Sequence, residues 1–150
     1  MSASPHDLAA CTATELLRLY RTGQASPVEA TQAVLARIAE VDGVLNAFCI
    51  VDAERALASA RASEARWRNH APQDLLDGVP VSIKDLILTR GWPTLRGSRT
   101  IDPNQKWEED GATVARLREQ GAVFLGKTTT PEFGWKGVTD SPLTGVTRNP

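Results

Sequence analysis

The sequence predicts an α/β layered fold, and three observations carry that expectation. Well-capped helical segments alternate with short, apolar strand candidates. One of those strands, 47-AFCIV-51, sits between helices and another, 122-AVFLG-126, follows a helix, rather than falling in a run of hairpins. The chain has 150 residues and 41% hydrophobic content, which suits one globular domain or a piece of a larger one.

The first helix signal is 12-TATELLRLYRTG-23, where Thr12 and Glu15 fit a capping box, Leu16, Leu19 and Tyr20 share a face, and Gly23 is the stop. The second is 26-SPVEATQAVLARIAEVDG-43. Ser26 caps it, Pro27 takes the first turn and Glu29 completes the box; Val28, Thr31, Leu35 and Ile38 form the apolar stripe, and Asp42-Gly43 ends the helix. After strand 47–51, Asp52 opens an alanine-rich helix to about Trp67, whose small residues imply close packing. Residues 70–78 read as a loop. The run 79-VPVSIKDLILTRG-91 is β-rich, a Gly/Pro/Ser/Thr loop follows to about Asn104, and a helix at 111–121 carries Val114 and Leu117 inward with Gly121 as stop. Strand 122–126 comes next, and the tail 128–150 has no clear period. A structureless tail of that length inside a compact domain is unusual and is expected to await a partner.

Composition excludes several classes. With 17 basic and 18 acidic residues and a net charge of -1, neither nucleic acid nor an anionic membrane is an expected partner. No apolar run approaches the ~20 residues of a membrane span. The start lacks a basic segment followed by an apolar one, so no secretory signal is read and a cytoplasmic protein is expected. Cys11 and Cys49 read as free thiols in a reducing compartment. His6 and His70 stand far apart among polar residues, so no metal site is expected.

Residues 121-GAVFLGKT-128 match the formal text of a phosphate-binding P-loop. The context argues against it. The middle residues Ala-Val-Phe-Leu read as a strand, Gly121 reads as a helix stop, and Gly134, Gly137 and Pro142 prevent the long helix that should follow. Lys127 is therefore expected to be a strand-end lysine reaching solvent.

Lys84 is the candidate for chemistry. It lies among Val79, Val81, Ile83, Leu86, Ile87 and Leu88. Two readings stand. Ser82 and Lys84 could share a solvent face by strand alternation, with Asp85 paired to a surface base. Alternatively, the ammonium is desolvated, which lowers its pKa and lets it accept a proton near neutrality.

The runs 78-GVPVSIKDLILTRGWPTLRGS-98, 110-DGATVARLREQGAVFLGKTTTPEF-133 and 141-SPLTGVTRNP-150 resemble the amidase signature hydrolases, closely over about residues 72–150. The resemblance implies a mixed β-sheet core covered by helices, of which these residues would be the incomplete N-terminal part: 1–70 mainly helical, 71–150 the start of the sheet, with no complete second domain. It implies a Ser–Ser–Lys triad, with Lys84 as the catalytic lysine acting as base towards a bridging serine. By position, Gly134 and Trp135 resemble cleft-lining residues; a glycine turn beside a core tryptophan is the competing reading. Thr94 and Ser98 are expected to fix the loop around Lys84. Thr129 stands where many members carry asparagine, which bears on substrate choice.

No metal or organic cofactor is implied, and the expected partner is a small-molecule amide, with a homodimer left open. The family's Gly-Gly-Ser-Ser-Gly-Gly loop is not among these residues, so residues 1–150 alone are expected to be inactive. Exposed strand edges and apolar surface are expected to make them associate; a sharp two-state melt of a monomer would count against that. Three alternatives stay open: a glutamine-hydrolysing subunit of a tRNA-dependent amidotransferase, a nucleotide-binding protein acting through 121–128, and a non-catalytic interaction domain.

Overall fold

A computed structural model describes residues 5–150. The elements run α1 (Pro5–Ala10), α2 (Ala13–Thr22), α3 (Pro27–Leu45), β1 (Phe48–Val51), α4 (Ala53–Arg68), β2 (Pro80–Lys84), α5 (Ala112–Glu119), β3 (Val123–Thr128), a 3-10 turn at Glu132–Gly134, β4 (Asp140–Ser141) and β5 (Gly145–Val146). A three-stranded sheet has the order β1-β3-β2, and β4 pairs with β5. β1 is antiparallel to β3. Bonds from Val123 N–H to Val79 C=O and from Asp85 N–H to Thr128 C=O advance together along the other pair, so β2 runs parallel to β3 and the sheet is mixed. Among the described residues no helix is long and apolar enough to cross a membrane.

The chain divides into two compact units. The first comprises the described residues through Glu40, Asp52–Val81 and Leu117–Leu125; the second comprises Val41–Val51, Ser82–Arg116 and Gly126–Pro150.

In the first unit the helix ends form as their local chemistry dictates. Thr12 Oγ1 accepts from Glu15 N–H at 3.3 Å while the Glu15 carboxylate accepts from Thr12 N–H at 2.7 Å. Ser26 and Glu29 repeat the reciprocal pattern at 3.2 and 2.8 Å. Each box satisfies otherwise orphan N–H donors, and losing such a cap costs about 1 kcal/mol. Gly23 sits in the left-handed region at φ 67°, letting Gln24 N–H return to Leu19 C=O at 2.9 Å. The Asp52 side chain caps α4 through Arg55 N–H at 3.0 Å.

A core of Leu8, Leu16, Leu19, Tyr20, Ala25, Ala30 and Ala33 gathers α2 and α3. On α3 the deepest residues are Pro27, Ala30, Thr31, Ala33 and Ile38, whereas Val28 and Leu35 are half-buried. Ala30, Thr31 and Ala33 allow a close approach along the first half of the helix, and Ile38 is the one large aliphatic side chain buried beyond them. On α4 the same logic buries Ala56, Ala60 and Ser63 completely.

Asp77 closes this unit. It is fully buried and takes a two-pronged contact from Arg66, Nε to Oδ2 at 2.9 Å and the guanidinium to Oδ1 at 2.5 Å, plus Gln73 N–H at 2.7 Å. Its own carbonyl accepts from Trp67 Nε1 at 3.0 Å, and Trp67 packs tilted on Tyr20 with ring centres 5.9 Å apart. The loop at 70–78 is thus pinned by one carboxylate.

In the second unit α3 overruns its expected stop at Asp42-Gly43 and continues to Leu45. Gly43 costs a helix interior only about 1 kcal/mol, which tertiary packing offsets. The turn comes instead at Asn46, which adopts φ 53°, and the Asp42 carboxylate accepts from Ala47 and Phe48 N–H at 2.7 and 3.2 Å to launch β1. The β-rich run at 79–91 is strand only to Lys84; Ile87 N–H bonds Lys84 C=O at 3.0 Å and turns the chain away. The tail departs from its expected lack of structure. The β4–β5 pair is tied to Asn46, whose side-chain amide donates to Thr144 C=O at 2.7 Å and to Val146 C=O at 3.1 Å, and Arg148 N–H bonds Leu45 C=O at 2.8 Å. Threonine and asparagine side chains supply the order that no hydrophobic period announces.

Burial alone would raise the Asp77 pKa, but the Arg66 hydrogen bonds and Gln73 N–H outweigh it and hold the carboxyl below its usual 3.8. A depressed folded value contributes stability that is present above pH 3.8 and lost as pH falls through the folded value. Asp77→Asn should therefore flatten the acid limb of a urea-midpoint profile. Arg66→Met, which strands the buried charge, should cost about 3 kcal/mol at neutral pH.

Candidate active site

The sequence around Lys84 folds into a turn held from behind. Strand β2 alternates, with Ile83 buried and Ser82 and Lys84 exposed. In this chain the Lys84 side chain therefore lies at the surface, its amine without a partner among the described residues, and residues 1–150 do not themselves supply the dry surroundings considered for it. The next residue is the reverse case: Asp85 is only 3% exposed. Its backbone N–H bonds Thr128 C=O at 2.9 Å, and its carboxylate accepts from Leu95 N–H at 3.3 Å and Gly97 N–H at 3.4 Å.

Asp85 pairs with Lys127, not with a surface base. Lys127 has no exposed area at all, and its Nζ lies 3.0 Å from Asp85 Oδ1. The same ammonium donates to Pro93 C=O at 3.0 Å and to Thr94 Oγ1 at 2.5 Å. Three acceptors around one nitrogen use all three ammonium protons. This corrects the expectation that Lys127 reaches solvent. β3 is buried from Val123 to Lys127, so alternation along it does not direct every second side chain to water. Burial pushes the Lys127 pKa below its usual 10.5, and the Asp85 hydrogen bond and charge pull it partly back. Residues 123–128 are strand and the 3-10 turn follows at 132–134, so the P-loop-like text has neither the loop nor the long helix that phosphate binding requires.

The segment after β2 is locked as the sequence suggested. Thr94 binds Lys127. Ser98, fully buried, donates to Glu132 Oε1 at 2.7 Å and accepts from Thr100 N–H at 3.2 Å. Gly97 has φ 65°, and a Cβ there would come within 2.6 Å of the Thr130 carbonyl oxygen, so only glycine lets this loop lie against the segment after β3. Gly126 is more constrained: a Cβ would lie 1.9 Å from the Ile50 carbonyl oxygen. The close approach accompanies a bulge, since Phe48 pairs with Thr128 but Ile50 pairs with Lys127. Thr129 Oγ1 shares a hydrogen bond with Thr147 Oγ1 at 2.7 Å, and Thr147 donates to Asn46 C=O at 2.7 Å.

Of the two cleft candidates, Trp135 is 80% exposed, which removes the core-tryptophan reading within this chain. Gly134 has φ 70° and faces Leu86, whose flexible Cδ1 would lie 2.6 Å from a Cβ built there. Beside the ion pair is a pocket of about 390 Å³ lined by Phe48, Cys49, Ile50, Asp85, Pro93 and Leu95 with Asn46, Leu143 and Thr144. Among the described residues no His, Cys, Asp or Glu cluster has the makings of a metal site.

Comparison with known proteins agrees with this architecture. The Amidase family model matches residues 29–150, and the chain belongs to that family, the amidase signature enzymes. A glutamyl-tRNA(Gln) amidotransferase subunit of Salinispora arenicola (strain CNS-205) is 43% identical over 146 residues, covering 96% of this chain and 29% of that protein. A bacterial aryl acylamidase of the amidase signature family superposes with TM-score 0.85 at 30% identity, covering 93% of this chain and 29% of its own. The peptide amidase of Stenotrophomonas maltophilia gives TM-score 0.82 at 30% identity over 91% and 29%. The chain thus spans under a third of the length of the relatives it matches.

The site residues that sequence reasoning missed are Asp85 as an interior anion and Lys127 as its partner. The available signal was a lysine closing a run, Val123 to Gly126, with no polar residue to mark a wet face.

Burial, reinforced by the Asp85 charge and opposed by Lys127, pushes the Cys49 thiol from 9.0 up to about 11. Its thiolate fraction at pH 8 should be roughly 100-fold below that of a free thiol of ordinary pKa, so iodoacetamide should alkylate it about 100-fold more slowly. A raised thiol pKa contributes stability that is lost as pH rises from 9.0 to about 11. Cys49→Ala should flatten that alkaline limb.

Proposed function

We propose that the protein is an amidase hydrolysing a carboxamide to the acid plus ammonia or amine, with residues 1–150 forming the N-terminal part of one amidase domain. Lys84 is the base of a Ser–Ser–Lys triad whose two serines lie outside these residues. The observation that supports this most directly is the family match over 29–150, which contains the Lys84-Asp85 pair in the run 78–98.

In this reading the neutral Lys84 amine takes a proton from the bridging serine, which takes one from the nucleophilic serine. The nucleophile's Oγ bonds to the amide carbon, the C–N bond breaks as the amine leaves protonated, and water then releases the acid from the acyl-enzyme. Lys84 is exposed here, so the low-dielectric surroundings that favour its neutral form must be contributed by the rest of the enzyme. Trp135, with its exposed ring, and Gly134 form a wall of the substrate cleft, where an aromatic face suits the apolar part of a small amide.

A second reading is favoured by one comparison. The curated relatives at 40–43% identity are amidotransferase subunits, against 30% for the aryl acylamidase, so glutamine is the alternative amide donor.

In the full-length protein Lys84→Ala should lower kcat/KM by roughly 1000-fold without changing the melting temperature, while residues 1–150 alone should release no ammonia from any amide. Ammonia release from glutamine but not from simple amides selects the second reading. Wild-type turnover by the Lys84→Ala protein would refute the role given to Lys84.

A further inference from the structure

Lys127 occupies an unusual position for a charged residue. It has no exposed surface, yet its ammonium has a full set of acceptors: Asp85 Oδ1, Pro93 C=O and Thr94 Oγ1. The first of these belongs to the residue immediately after Lys84. The other two begin the loop whose next residues, Leu95 and Gly97, donate backbone N–H bonds to the same Asp85 carboxylate. One residue further along β3, the Thr128 carbonyl takes the Asp85 backbone N–H at 2.9 Å. The chain beside Lys84 is therefore fastened to β3 twice, once through its backbone and once through a buried charge pair. The turn is tightened further by the Ile87 N–H bond to the Lys84 carbonyl at 3.0 Å.

We propose that Lys127 is a positioning residue for Lys84: its buried ammonium, with Asp85, clamps the strand-to-turn junction and the 93–97 loop so that the Lys84 side chain leaves β2 from a fixed backbone. This deepens the reading of Lys84 as triad base and rests on it. The physical argument is economy of degrees of freedom. A lysine has four side-chain torsions, so an exposed one can deliver its amine to a defined point only if its root does not move as well. A buried ion pair is a poor source of net stability, because desolvation offsets much of the attraction. Its value lies in geometry: three directional bonds from one nitrogen admit one arrangement of strand and loop. A hydrophobic side chain at 127 would fill the space and leave the Asp85 carboxylate to pull water or a different backbone segment inward. The alkaline form of Lys127 would lose the clamp too, and the groups facing it in that titration are Asp85, Cys49 and Arg96.

The test compares Lys127→Met with Lys84→Ala in the full-length enzyme and follows hydrogen exchange across residues 1–150 of that enzyme. Lys127→Met should lower kcat about 100-fold while KM changes little, because a small misplacement of a catalytic group costs rate and not binding. The Leu95 and Gly97 amides should exchange at least roughly 10-fold faster, while Val123 in β3 keeps its protection. Thr94→Val is the milder variant if Lys127→Met does not fold; it removes one acceptor and should shift the same two amides in the same direction. Unchanged exchange at 95 and 97 overturns the clamp, as does wild-type kcat in Lys127→Met alongside an inactive Lys84→Ala. An active Lys84→Ala refutes the triad reading itself and removes the role of Lys127 with it; faster exchange would then mark a purely structural ion pair.

Discussion

The second unit depends on one decision made by the sequence: two opposite charges, Asp85 and Lys127, are taken out of water together. Lys127 Nζ and Asp85 Oδ1 are 3.0 Å apart with almost no exposed area on either residue. Neither group could be buried alone, since an unpaired interior charge costs several kcal/mol. Because the charges must meet, β3 and the start of the turn after β2 must bring 127 opposite 85. Because the ammonium has two further protons to place, the loop at 93–94 must present its carbonyl and hydroxyl at the same point. Because the carboxylate has lone pairs left over, Leu95 and Gly97 must turn their N–H groups inward. A single ion pair thereby dictates the path of about ten residues that have no regular secondary structure.

Around that constraint, missing side chains matter as much as those present. Gly126 stands where a Cβ would overlap the Ile50 carbonyl oxygen, and the bulge in β1 adjoins it. Gly97 stands where a Cβ would meet the Thr130 carbonyl oxygen. Each lets two backbones approach more closely than ordinary residues permit, and each flanks the Lys127 cluster along the chain. The glycines supply proximity and the charges supply direction. The Thr129–Thr147–Asn46 hydrogen bonds then carry the order outward into the tail, where hydroxyls do the work that apolar burial does in the first unit.

Much of the first unit could be read directly from residue order. Thr12/Glu15, Ser26/Glu29, Gly23 and Asp52 act as caps because their chemistry is local, needing only neighbours three or four residues away. The α3 terminus at Leu45 was less legible, since propensity places the stop at Gly43 while the Asp42 carboxylate and Asn46 set it by contacts beyond the helix. The 70–78 loop gives no hint that Asp77 is its anchor, because the partner Arg66 lies in an unremarkable charged stretch of α4. The tail illustrates a similar limit: hydrogen bonds between Asn46 and residues about 100 positions later leave no periodic trace. Lys127 is misleading for a sharper reason. Alternation rules assume one wet face, and a strand buried on both has none. Lys84, in contrast, obeys the rule, with Ile83 inward and Ser82 and Lys84 outward.

The contrast between these two lysines bears on which could act as a base. A base must give up its proton and later regain one without dismantling its surroundings. Lys127 cannot do so cheaply: deprotonation would leave one of three acceptors unserved and Asp85 without its counter-charge in a dry interior. Burial does lower its proton affinity, but the hydrogen-bond inventory ties the proton to the architecture. Lys84 carries no such obligation. Its amine serves no acceptor among the described residues, and its neighbour Asp85 is already committed to Lys127. Its root is anchored through Asp85, its tip is free of the hydrogen bonds that hold the loop, and its neighbour's charge is already balanced. The buried lysine thus holds the framework in its charged form, while the exposed one takes no part in holding it.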